Sequence, residues 1–161
     1  MKNKFKFLFL LLSLTAIKGY SQCNVKTNNR PDGVTVKYQN PEMVGKGTGC
    51  ELGVSISNTG TDYCFNTTVL YFGTSVKSTG TLMIELSNNQ SLNLTLFASE
   101  LATMKNSEIS ANVYLLSKTD VEKLKKATIK KIIFKETGGK NQIIILSKNF
   151  DVASRHINCL K

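Results

Sequence analysis

Apolar and polar side chains alternate one by one in several short runs of this chain. A period of two suits half-buried β-strands and no helix. Val34, Val36 and Tyr38 alternate with Thr35 and Lys37, and Leu52, Val54 and Ile56 alternate with Gly53, Ser55 and Ser57. "TLMIEL" and "LNLTLF" repeat the pattern around 82–86 and 92–97. "TTVLYF", "NVYLL", "IKKIIF" and "QIIIL" are β-branched or aromatic runs of similar length. The stretches "NTGT", "GTSVKSTG", "SNNQS" and "TGGKN" between them have turn chemistry. Short strands at this spacing predict a mainly β, antiparallel, β-sandwich-like or barrel-like single domain.

Register follows from the same period. A loop over 87–91 would set Leu86 opposite Leu92 and Ile84 opposite Leu94, keeping apolar residues on one face. A four-residue loop would mix faces. A turn at 58–61 would pair Ile56 with Tyr63 and Val54 with Phe65, placing Cys50 and Cys64 on opposite faces. That geometry disfavours a Cys50–Cys64 disulfide, which needs Cα atoms about 4.4–6.8 Å apart.

Two short helices are predicted, at about 120–127 and 150–157. In "TDVEKLKKA", Thr119 is the expected N-cap, with Glu122 completing a capping box and Asp120 near the positive helix end. Val121, Leu124 and Ala127 form one stripe, and Lys123, Lys125 and Lys126 lie away from it. In "FDVASRHIN", Asn149 is the expected cap, with Phe150, Ala153 and Ile157 on one face.

The N-terminus predicts export. Lys2, Lys4, Lys6 and Lys18 flank the non-ionic run 7–17, and no acid occurs before residue 22. At about 1.5 Å per helical residue this run is too short for a bilayer core of about 30 Å. A basic start, an apolar middle and small residues at Gly19 and Ser21 read as a signal peptide over 1–21. Cleavage near Ser21/Gln22 leaves a single domain, 22–161, in the periplasm or outside the cell. The four cysteines, Cys23, Cys50, Cys64 and Cys159, are then expected to form two disulfides. With Cys50–Cys64 disfavoured, the pairings left are Cys23–Cys64 with Cys50–Cys159, or Cys23–Cys50 with Cys64–Cys159. The alternative use of Cys23, as a lipid-anchor residue, fits poorly with the preceding Tyr20, Ser21 and Gln22.

The stretch "LSKTDVEKLKKATIKKIIF" (116–134) resembles a capped-helix-then-strand element of a loose group of uncharacterised exported Bacteroidota proteins. "RPDGVTVKYQNPE" (30–42) and the ending "NCLK" are similar to the same group. The resemblance covers about a third of the chain. It implies a bacterial envelope or extracellular setting, and no activity or site residue comes with it.

The chemistry of the chain points away from most enzyme classes. The formal net charge of the whole chain is +10, and loss of the four N-terminal lysines leaves +6. Only Arg30 and Arg155 are arginines, so the bidentate contacts that read guanine or phosphate are scarce and no nucleic-acid role is expected. "GKGTGCELG" lacks the Gly-Lys-Ser/Thr of a phosphate loop and the G-x-G-x-x-G of a dinucleotide site, and is read as a strand connection. No C-x-x-C pair accompanies His156, so neither a metal nor any other cofactor is expected.

His156 is the one histidine. It could serve a small envelope hydrolase with Asp151, and Glu85, Glu100, Glu108 and Glu136 could supply paired carboxylates. No nucleophile motif accompanies either set, and a helix-face histidine is the simpler reading. Lys123, Lys125, Lys126, Lys130 and Lys131 form the densest charge and could meet an anionic envelope surface or a protein partner. Solvated lysines that block edge pairing are the simpler account. The expected role is non-catalytic binding or structural interaction.

Overall fold

A computed structural model describes residues 23–104 and 107–161. The expected signal peptide lies outside the described residues. In chain order the elements are β1 (Lys26–Asn29), β2 (Thr35–Tyr38), β3 (Glu42–Gly47), β4 (Cys50–Asn58), β5 (Tyr63–Tyr71), β6 (Ser78–Leu86), β7 (Ser91–Met104) and β8 (Ser107–Leu116). Helix α1 (Lys118–Lys126), β9 (Ile129–Glu136), β10 (Asn141–Ile145) and helix α2 (Val152–Cys159) complete the fold.

The mainly β fold with two short helices is as the periodicity predicts. All strand pairings are antiparallel, in one sheet ordered β1-β2-β4-β5-β8-β7-β6-β9-β10, with β3 also on β4. The long β7 joins the two parts of this sheet. Its first residues pair with β6, and from Leu96 on it pairs with β8, with a bulge between Leu96 and Ala98. Bulges increase local twist and bend. Leu52, Val54 and Phe65 on one side of this join, and Leu82, Ile84 and Phe134 on the other, belong to one core. Val121 and Leu124 of α1 and Val152, Ala153 and Ile157 of α2 pack into the same core.

The sheet curls until β10 meets β3. The N–H groups of Ser147 and Lys148 donate to the carbonyl of Val44 at 2.9 and 3.3 Å. A Cβ on Gly45 would stand 2.9 Å from the Ile145 carbonyl oxygen, and one on Gly47 would run into the Ile144 side chain. The glycines of "GKGTG" therefore let two backbones approach closely. The segment expected to be a mere connection is strand β3 and the turn into β4.

Both predicted hairpin registers are off by two residues, and both faces are right. In β6–β7, Ile84 lies opposite Leu92 and Leu82 opposite Leu94. Asn89 adopts φ 62°, and the Asn88 carbonyl side chain accepts from the Gln90 N–H at 3.2 Å, closing a tighter loop than expected. In β4–β5, Ile56 faces Phe65 and Asn58 faces Tyr63. That turn runs over 59–62, with the Thr59 N–H donating to the Asp62 carbonyl at 3.0 Å and Gly60 at φ 92°.

Cys50 and Cys64 sit opposite Tyr71 and Ser57 on the β4–β5 ladder and do not pair. The disulfide is Cys23–Cys159, with Cα atoms 5.4 Å apart, and Cys50 and Cys64 are buried free thiols. Two disulfides in either expected pairing are thus replaced by one. Burial removes Cys50 and Cys64 from any partner sulfur, which the even count of cysteines did not reveal.

The first helix starts two residues earlier than expected. Ser117, not Thr119, is its N-cap, accepting from the Asp120 N–H at 3.1 Å, while the Asp120 carboxylate accepts from the Ser117 N–H at 3.1 Å. Asp120 closes the box instead of Glu122, which binds Lys125. In α2 the cap position is Asp151, Asn149 donates its side-chain amide to the Met43 carbonyl at 2.9 Å, and Phe150 stays exposed before the helix. The inward face is Val152, Ala153, His156 and Ile157.

Candidate functional site

The central strands carry two faces, and only one is consumed by the core. Cys64 stands between Ser57 of β4 and Leu115 of β8, and Asn66 between Ser55 and Val113, all on the outer face. Val113 in turn lies opposite Ala98, beside Phe97 at the β7 bulge. Tyr38 pairs with Ser57, so alternation brings Val36 of β2, and Val34 just before the strand, to the same side. All of these except Ser55 and Tyr38 line an open groove of about 1090 Å³.

The groove is apolar at its floor and polar at its edge. Val113, Leu115 and Ala98 are flanked by Ser57, Asn66, Asn93 and Thr95, and its charges are Arg30, Asp62 and Asp120. Asn66 donates to the Ser57 hydroxyl at 3.0 Å. Phe97 is 68% exposed and Leu115 47% exposed, large for side chains of their kind on adjacent strands. The buried Cys64 thiol lies among these residues, and burial pushes its pKa up, so it is a neutral part of the floor and a poor nucleophile. A concave, mainly apolar surface with a few fixed polar groups is suited to binding.

His156 has a different setting. Strands β2 and β3 share the outer edge of β4, pairing at Ser57–Asn58 and at Cys50–Val54, and Ile56 lies at the break between them. His156 fills that break: its Nδ1 accepts from the Ile56 N–H at 3.3 Å. Nε2 must then carry the proton, donated to Glu42 Oε1 at 2.9 Å. Arg155 grips the same carboxylate with two bonds of 2.9 and 2.8 Å and also meets Asp151 at 3.1 Å. Arg155 first and His156 after it hold Glu42 below the usual carboxylate range, while burial lowers the pKa of His156.

The ring is 1% exposed and both its nitrogens are occupied, so it has no lone pair to take a proton from a nucleophile. Asp151 reaches Arg155 rather than the ring. The cluster clamps α2 onto β3 and β4.

The four carboxylates considered for acid–base work are not brought together. Glu85 is bridged by Lys130 at 3.3 Å and by Lys131. Glu100 and Glu108 are exposed on β7 and β8 opposite Ala111 and Thr103. Glu136 is buried at the far end of the β6–β9 ladder from Glu85. Among the described residues no three His, Cys, Asp or Glu side chains gather as metal ligands.

Of the predicted lysine cluster, Lys125 pairs with Glu122, and Lys130 and Lys131 pair with Glu85 across the sheet. Lys123 and Lys126 have no ion pair among the described residues. The sulfur of Cys23 is committed to Cys159, which leaves none for the thioether of a lipid anchor. A disulfide in a chain of this kind fits an oxidising compartment. No helix among the described residues is long and apolar enough to cross a membrane.

Sequence reasoning missed the groove because its residues come from β2, β4, β5, β7 and β8. A usable signal exists in "LFAS" and "NVYLL", where Phe97 and Leu115 break the outward-polar alternation. No protein-family model, curated protein or solved structure matches the chain.

Proposed function

We propose that this chain is an exported, non-catalytic binding domain of the periplasm or the extracellular space, and that the groove across β4, β5, β8 and β7 is its binding surface. The observation that carries the reading is the pair Phe97 and Leu115, left in solvent beside Val113 on a concave face. Scaled by the exposure that remains to be covered, Phe97 would gain about 1–2 kcal/mol and Leu115 about 0.7–1.4 kcal/mol, so a partner that covers both has a ready driving force. The Cys23–Cys159 disulfide and the expected signal peptide favour a setting beyond the cytoplasm. The group resembled by 116–134 suggests a bacterial envelope.

The test compares the mature wild-type protein with a Phe97→Ser, Leu115→Ser variant. Both side chains are solvent-facing, so the two proteins should melt within about 1 kcal/mol of each other. Each would be immobilised and exposed to its native envelope fraction, and bound material identified by mass. A molecule kept by the wild type and lost by the variant supports the reading. Equal retention by both, or nothing retained by either, overturns it.

A further inference from the structure

A second, smaller pocket lies away from the groove, where the β3–β4 turn, the end of β5 and the β9–β10 hairpin meet. Its volume is about 390 Å³, and Thr48, Tyr71, Phe72, Glu136, Lys140 and Gln142 are among its walls. Glu136 is 5% exposed. Its carboxylate accepts from a neutral amide, Gln142 Nε2 at 2.8 Å, and that amide also donates to the Thr48 carbonyl at 3.3 Å. No lysine or arginine among the described residues lies within ion-pair distance of Glu136, Lys140 included. A carboxylate so deeply buried normally has a cationic partner, because its desolvation is costly.

The phenol next to it is also unsatisfied. Tyr71 Oη is buried without a hydrogen-bond partner, and burial, with the nearby Glu136 carboxylate after it, raises its pKa far above the ordinary tyrosine range. Phe72 stands exposed at the mouth. The pocket thus offers one anionic acceptor, one hydroxyl able to accept, the Thr48 carbonyl edge and two aromatic rings. Calcium favours several carboxylates, and these walls carry only Glu136, with the cationic Lys140 beside it. An organic ammonium wants a carboxylate, one or two further acceptors and aromatic faces.

We propose that this pocket takes the cationic end of a small primary amine, with Glu136 as its counter-ion and Tyr71 as a second acceptor. The site is separate from the groove and stands or falls independently of it.

Benzylammonium and its neutral isostere benzyl alcohol are suitable probes, titrated at pH 7.5 and followed by calorimetry and by amide shifts of the pocket residues. Benzylammonium should bind at least tenfold more tightly than benzyl alcohol. Glu136→Gln, which keeps the shape and removes the charge, should erase that preference, and Tyr71→Phe should weaken the amine several-fold. Lys140→Gln should bind the amine as well as or better than wild type, since a competing cation is gone. Equal binding of amine and alcohol by the wild type overturns the proposal, and this comparison needs no variant to fold. Undiminished amine binding by a folded Glu136→Gln variant overturns it as well.

Discussion

Replacing His156 tests how α2 is held to the sheet. His156→Ala would strip the Ile56 N–H of its only acceptor, at about 1–3 kcal/mol for a buried unsatisfied donor. It would also empty a ring-sized volume at a site 1% exposed, and the two effects together should cost on the order of 3–5 kcal/mol. That is a large part of the roughly 5–15 kcal/mol by which a domain of this size is stable. His156→Asn keeps an acceptor where Nδ1 stood and gives up the bond to Glu42, so its cost should be smaller.

The pH dependence separates this clamp from a mere filler. Burial sets the folded pKa of His156 below its ordinary 6.5, so the unfolded chain binds a proton that the folded chain refuses. Stability is then fully present above about pH 6.5 and falls as pH drops toward the folded value. Glu42, held below its ordinary 4.5 mainly by Arg155, adds a further loss at lower pH in the same direction. His156 is the one histidine, so no other ordinary side chain titrates between pH 5.5 and 7.5. Urea melts across that window should show wild type weakening with acid and His156→Asn staying level until Glu42 begins to protonate. A wild-type curve that is flat or strengthens toward pH 5.5, with His156→Ala melting like wild type, would refute the clamp.

Leu124 is fully buried under α1, so Leu124→Ala should cost about 2–5 kcal/mol in thermal melts. Ser117→Ala should cost about 0.5–2 kcal/mol by removing the cap, and Thr119→Ala should be near neutral, which would reverse the order expected from sequence. Thiol titration of the unreduced protein should find two thiols per chain in denaturant and slow reaction of both when folded. Breaking the disulfide, which spans 136 residues, by Cys159→Ser should cost up to about 5 kcal/mol on loop entropy. Gly47→Ala, pushing into Ile144, should cost about 1–3 kcal/mol. Changing Lys123, Lys125 and Lys126 to Gln should leave stability within about 0.5 kcal/mol, and loss of retention on anionic vesicles would favour the envelope-docking role.

The strands were legible because alternation is a local property that burial enforces. The same property explains the error in both hairpins. A slip of two residues leaves each side chain on its face, so hydrophobicity is blind to it and only the turn decides. In β6–β7 that decision rests on Asn89 accepting a left-handed backbone, and in β4–β5 on Thr59, Gly60 and Asp62. The helix cap failed for a related reason. Ser117 and Thr119 both precede an acid by three residues, and the choice between them depends on where Leu116 leaves β8.

The cysteines show where local reasoning ends. Excluding Cys50–Cys64 was sound, since the two lie far apart on one ladder. The further step assumed that every thiol in an oxidising setting must be paired, and so removed Cys23–Cys159 along with it. Burial is a second way to protect a thiol, and it is available once β3 covers Cys50 and the neighbouring side chains of the groove floor cover Cys64. Whether it is used depends on β3, and β3 was hidden because its glycines mimic a loop. Those glycines are required by Ile144 and Ile145, almost a hundred residues later in the chain. The same closure brings Thr48 of the β3–β4 turn against Gln142, and with it Glu136, so the polar pocket follows from the packing that the glycines permit.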